Sequence, residues 1–133
     1  MKDTLRAEIR EAANDVVKRL GPMSGIERFG YSADSVAWID AYVERERKDG
    51  LDEDKLARHV TAFGAYLGEA IVAATGGHWI VADDGRWGVR LPNGSRAFPF
   101  SKVRKQFTNG AADSIASYFD ITVNYIGTGR IKL

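Results

Sequence analysis

Apolar positions along this chain recur at two different periods, and the change of period divides it. Up to Thr75 they fall three or four residues apart, the spacing of a helix face; from His78 they tend to alternate, the spacing of a half-buried strand. Leu5, Ile9, Ala12, Val16 and Leu20, widened by Ala13 and Val17, predict an amphipathic helix over 3–20, stopped by Gly21-Pro22. A Gly-rich loop follows over 21–31, with Phe29 and Tyr31 as its apolar anchors. Val36, Ile39 and Val43, flanked by Trp38 and Tyr42, predict a second helix capped by Ser32 or Asp34 and broken at Asp49-Gly50. A third helix is expected from about Asp52 to Thr75. Its acidic start, Asp52-Glu53-Asp54, suits the positive end of a helix dipole. From Ala62 onward nearly every position of this helix is apolar or small, the mark of a helix buried on several sides. Gly64 and Gly68 lie four apart on it and admit a close neighbour.

The second period predicts three strands. His78–Ala82 is closed by Asp83-Asp84-Gly85. Arg86–Leu91 places Trp87, Val89 and Leu91 on one side and Arg86, Gly88 and Arg90 on the other. Pro92-Asn93-Gly94 is a strong hairpin signal, and Ser95–Phe100 is the third strand, with Pro99 suiting an edge or an end. Beyond it, Ser101 is a candidate cap for a helix over Lys102–Phe107, broken at Asn109-Gly110. Asp113–Phe119 reads as another helical stretch that can extend to Tyr125, with Asp113 as cap or first-turn acid. The tail from Gly127 is expected to be frayed or a short last strand. The fold class is therefore α+β in a single domain over 1–133: three N-terminal helices, a three-stranded antiparallel meander, then one or two C-terminal helices.

Composition changes the picture in two ways. The formal net charge is only +1, which leaves no global field to recruit nucleic acid or an anionic membrane. The charge is uneven, however: residues 1–75 carry 11 Lys/Arg against 14 Asp/Glu, and residues 76–133 carry 8 against 4. The absence of cysteine excludes disulfides, thiol catalysis and thiolate metal sites within these residues. It agrees with a cytoplasmic location. The charged, amphipathic start lacks the apolar core of a secretory signal, and no apolar run is long enough to span a membrane.

Glu69 is the polar exception in the most apolar helix, set among Ala65, Tyr66, Leu67, Ile71, Val72 and Ala73. A carboxylate there needs a partner, because an unpaired buried charge is costly. In the structural reading it accepts from a backbone amide, a Trp indole or a lysine of the Lys102–Lys105 run, and the expected partner is a group from 99–107, in a buried polar cluster of Glu69, Lys102, Lys105 and His78. The alternative makes Glu69 a general base or ligand in a pocket under the sheet. His59 and His78 are the only histidines; ten residues of helix put His59 about 15 Å from Glu69, too far to share a metal. No metal and no cofactor is expected. No serine lies in a nucleophile elbow, and Gly76-Gly77 is not followed by the Gly-Lys-Ser/Thr of a phosphate loop. Arg86, Arg90 and Arg96 occupy alternate positions of adjacent strands, so they can converge on one sheet face as a binding surface. Trp79 and Trp87 would add stacking area if nucleic acid were the partner, but so small a net charge disfavours tight phosphate binding.

Three sets of residues also carry a resemblance. Leu67-Gly68-Glu69 lies in a helix and Gly76-Gly77-His78-Trp79 at its exit. Pro99-Phe100, Lys102-Val103 and Lys105 lead to Asn109-Gly110, Asp113-Ser114 and Tyr118-Phe119. Over about residues 35–120 this resembles a group of small bacterial domains of unknown function with a Leu-Gly-Glu helix, a Gly-x-Trp strand start and a Lys-Val-x-Lys helix. Similar small modules occur among bacterial toxin-immunity proteins. The resemblance implies a fold and leaves activity open. The expectation is a non-catalytic bacterial interaction module, immunity-like in binding and blocking a protein partner. The alternatives are a small enzyme or ligand-binding domain centred on Glu69, and a nucleic-acid accessory protein.

Overall fold

In the computed structural model, residues 2–130 are described. The chain runs α1 (Lys2–Ser24), α2 (Ala33–Asp49), α3 (Glu53–Thr75), β1 (His78–Val81), β2 (Trp87–Arg90), β3 (Arg96–Ala97), α4 (Pro99–Asn109) and α5 (Ile115–Ile121). A 3-10 turn at Gly110–Asp113 joins the last two helices, and a π-helical turn follows at Thr122–Ile126. The sheet is an antiparallel meander in the order β1-β2-β3. This is the expected α+β architecture. Among the described residues no helix is long and apolar enough to cross a membrane.

Of the two candidates for α2 the structure takes Ser32, the acidic start of α3 supplies its cap, and Ser101 does not cap α4, whose N-cap Phe98 has no side-chain bond. Ser32 caps α2, its side chain accepting from the Ser35 N–H, and Asp52 caps α3, accepting from the Lys55 N–H at 2.8 Å. α3 is the hub, packing against both α1 and α4. Ala65, Tyr66, Leu67, Ala70 and Ile71 on it are fully or almost fully buried. The Trp79 indole lies against Gly68 and the Phe100 ring against Gly64, close enough that a Cβ at either glycine would overlap the ring at 2.0 and 2.3 Å. Trp79, Val89 and Ala97 form the inward face of the sheet and join the same core.

Three boundaries differ from the sequence reading. α1 runs through Gly21-Pro22 to Ser24. Pro22 sits in its last turn, where the missing N–H removes only one bond, and the Ser24 hydroxyl donates to the Gly21 carbonyl at 2.6 Å. The third strand is only Arg96–Ala97, and Pro99 begins α4 instead of ending the strand. Proline at the first helical position has its φ already set and needs no hydrogen-bond partner, so the chain turns into helix two residues before Ser101. Asp113 does not cap α5; that role is taken by Ser114, which accepts from the Ser117 N–H. The tail turns through Gly127–Gly129, and its last part, 131–133, lies outside the described residues.

Candidate functional site

The outer face of the sheet is built by the strand alternation. Trp79, Val89 and Ala97 point inward, so His78, Ile80, Gly88, Arg90, Arg96 and Phe98 share the opposite face. His78 pairs with Arg90 across β1–β2, and Arg90 pairs with Arg96 across β2–β3, giving one cationic row. The Leu91 N–H donates to the Ser95 carbonyl, which makes the neighbouring Arg90–Arg96 pair a non-hydrogen-bonded one, the type in which side chains stand closest. Both arginines are exposed, and among the described residues neither forms a salt bridge. The next row is apolar. The Phe98 ring lies over Gly88, where a Cβ would come within 2.9 Å of it. The Arg86 guanidinium stacks on that ring at 4.0 Å from its centroid. Asp84 holds Arg86 there through a 2.7 Å ion pair. Asp84 in turn is held below the usual carboxylate range, first by the Arg86 backbone N–H and then by the Arg86 side chain. The three arginines thus share a face, with Arg86 already engaged and Arg90 and Arg96 free of carboxylate partners among the described residues.

The expected cluster of Glu69, Lys102, Lys105 and His78 does not assemble. Glu69 points toward α1: its Oε2 accepts the Trp79 indole N–H at 2.9 Å, and its Oε1 lies 3.7 Å from Arg10 Nε. Lys102 instead pairs with Asp113 at 3.0 Å. Asp113 is held below the usual carboxylate range first by Asn109 and then by Lys102. Lys105 and His78 are exposed. The reason is which face of α3 meets which neighbour. Gly64 and Gly68 face the start of α4, while Glu69 is turned about one residue round the helix, toward α1 and the Trp79 ring edge. His59 lies elsewhere again, its Nε2 3.0 Å from Glu46 Oε1 and its ring edge-on to Phe63.

One polar network that links distant parts of the chain was not legible in the sequence. Asp40 on α2 accepts Gln106 Nε2 at 3.0 Å on Oδ1. On Oδ2 it accepts the Ala116 N–H at 2.8 Å and the Ser114 hydroxyl. Gln106, fully buried, accepts the Ile115 N–H at 2.8 Å on its Oε1. These bonds satisfy the start of α5 and tie it to α2 and α4, a structural role. Asp40 sits on the flank of an ordinary amphipathic helix and its partners lie about 70 residues further on, a separation that no local pattern spans.

Beside α1 there is also an apolar groove of about 390 Å3, lined by Leu5, Ile9, Ala12, Ala65, Trp87 and Phe100. Comparison with protein-family models, curated proteins and solved structures finds no match to this chain. The resemblance carried by the Leu-Gly-Glu, Gly-Gly-His-Trp and Lys-Val-x-Lys residues therefore rests on those motifs alone.

Proposed function

We propose that this chain is a non-catalytic protein-interaction module, of the bacterial immunity-like kind, and that it binds an acidic surface of another protein through the outer face of its sheet. One observation carries the reading: Arg90 and Arg96 stand side by side across β2–β3 with no carboxylate partner among the described residues. Like charges directly opposite each other on a sheet are destabilising, and an acidic partner relieves the repulsion. Their surroundings add support. Phe98 and Ile80 lie in the adjoining row, and arginine beside aromatic and apolar surface is the composition enriched at interfaces. Arginine also pairs with carboxylates in a planar two-bond fork that lysine cannot make. The immunity-like part of the reading rests on the motif resemblance.

The test is affinity capture on the immobilised protein, comparing the parent with Arg90→Ala/Arg96→Ala. Both side chains are exposed, so the variant keeps its fold, checked by an unchanged urea midpoint. The expected result is a protein captured by the parent and lost by about tenfold or more in the variant, the size of a true hot spot. Equal capture by both refutes the placement. Capture of nucleic acid that elutes at moderate salt refutes the protein-binding reading in favour of phosphate contacts.

A further inference from the structure

The two edges of the sheet are not equivalent. On the β3 side, the Tyr118 hydroxyl of α5 accepts the Phe98 N–H at 3.2 Å, just past the strand's end, so α5 satisfies the outward N–H there. On the other side, among the described residues, β1 pairs with β2 alone. The Ala82 N–H donates to the Arg86 carbonyl, so by antiparallel alternation the N–H and C=O of Val81 point away from β2, out of the sheet. Val81 is also among the few large apolar side chains left exposed, at 36%. Sheet edges are commonly blunted by proline, lysine or a bulge. His78-Trp79-Ile80-Val81 contains neither residue and pairs in unbroken register, so among the described residues its short length is what blunts it.

The surroundings of this edge differ on its two sides. Along β1 itself, Arg6, His78, Trp79, Ile80, Val81 and Trp87 line a depression of about 290 Å3, with Arg6 and Trp87 on its core side. Toward the outer face stand His78, Arg90 and Arg96. The nearby acids are engaged or peripheral: Asp3 lies 3.9 Å from Arg6, Asp84 is bound by Arg86, and Asp83 lies in the hairpin turn.

We propose that β1 is the entry edge for the partner, which adds to it as an extended acidic segment with alternating side chains. This rests on the interaction reading above and names the form the partner takes. The added strand bonds to the outward peptide groups of β1. Its acidic side chains fall on the outer face beside His78, two strand spacings or about 10 Å from Arg90, whose long side chain leans toward them, while Arg96 stands one strand further; the residues between them fall beside Trp87 and Arg6. Alternation of a strand supplies that two-faced pattern without further design. The charge selects the occupant: a second copy would bring two cationic rims together, whereas an acidic strand neutralises one.

The probe is a short synthetic peptide alternating glutamate and valine, with a second version N-methylated along one edge so that it cannot donate from that edge. Binding is followed by Trp fluorescence and by amide chemical shifts. The parent should bind the plain peptide with the Val81 amide among the largest shifts. The N-methylated peptide should bind about tenfold more weakly, and so should the plain peptide to Val81→Pro or to Arg90→Ala/Arg96→Ala. Val81→Pro deletes only an outward N–H, a position where an edge strand tolerates proline. If that variant fails to fold, the N-methylated peptide decides alone. Undiminished binding of the N-methylated peptide, with loss in the arginine variant, overturns the edge mode and leaves the face reading standing. Binding that ignores the arginines as well overturns both. Failure of the parent to bind, or Val81 shifts that follow protein concentration alone, overturns the acidic strand, the latter in favour of a second copy.

Discussion

Replacing Asp40 by asparagine tests the bond network that docks α5. The substitution keeps size and shape and changes one oxygen into a donor. Gln106 cannot turn to accommodate it, because its Oε1 already accepts the Ile115 N–H at 2.8 Å and its Nε2 must therefore face Asp40. The new carboxamide then has two settings. With its nitrogen in the place of Oδ1, donor meets donor at Gln106 Nε2. With its nitrogen in the place of Oδ2, it meets the Ala116 N–H, and the Ser114 hydroxyl must reorient. Each setting loses at least one hydrogen bond to a charged acceptor, about 1.5–3 kcal/mol, and leaves a buried donor short of a partner, about 1–3 kcal/mol. Glu44 Oε2, at 3.3 Å, still accepts from Gln106 Nε2 and softens the first setting. The net expectation is a loss of about 2–4 kcal/mol. Urea unfolding followed by Trp fluorescence measures it. Hydrogen exchange should speed at Ile115 and Ala116 more than in the middle of α3. A variant within about 0.5 kcal/mol of the parent, the scatter of an ordinary surface change, with exchange unchanged at those two amides, would refute the network as the anchor of α5.

Two further outcomes follow from the packing and the charges. Gly68→Ala gains about 1 kcal/mol of helix propensity but pushes a methyl to 2.0 Å from the Trp79 ring and 3.1 Å from Pro99. Overpacking costs about 1–3 kcal/mol, and the Trp79–Glu69 bond is strained with it, so thermal unfolding should show a net loss; a raised midpoint would mean that the ring is free to move. Glu46 is held below its ordinary value of 4.5, first by the bond from His59, while burial opposes. A depressed carboxyl contributes stability that is complete above about pH 4.5 and is lost as pH falls through the lowered value. Glu46→Gln should therefore flatten the parent's loss of stability below pH 4.5, and an unchanged acid limb in denaturant titrations at stepped pH would count against the pair.

The residues by themselves determined the elements, because helix and strand periods, caps and turn glycines act over a few positions. The third helix from Asp52 to Thr75 and the cap of α2 at Ser32 stand where the pattern puts them. So does the hairpin at Asn93-Gly94, and the alternation of Arg86, Gly88 and Arg90 is enough to put them on one face. Tertiary structure decided the partners. Glu69 was legible as a carboxylate in need of a donor. Whether Trp79 and Arg10 or the lysines of α4 supplied one depended on how α3 is rotated against its neighbours, and Gly64 and Gly68 set that rotation by letting Phe100 and Trp79 in. The third strand was cut short for the same kind of reason. Pro99 suits a strand end and a helix start equally by local preference, and its packing against Gly68 accompanies the second choice. Asp40 shows the limit most clearly: its side chain looks solvated along α2, and only the arrival of Gln106, Ser114 and Ala116 from the far end of the chain turns it into an anchor.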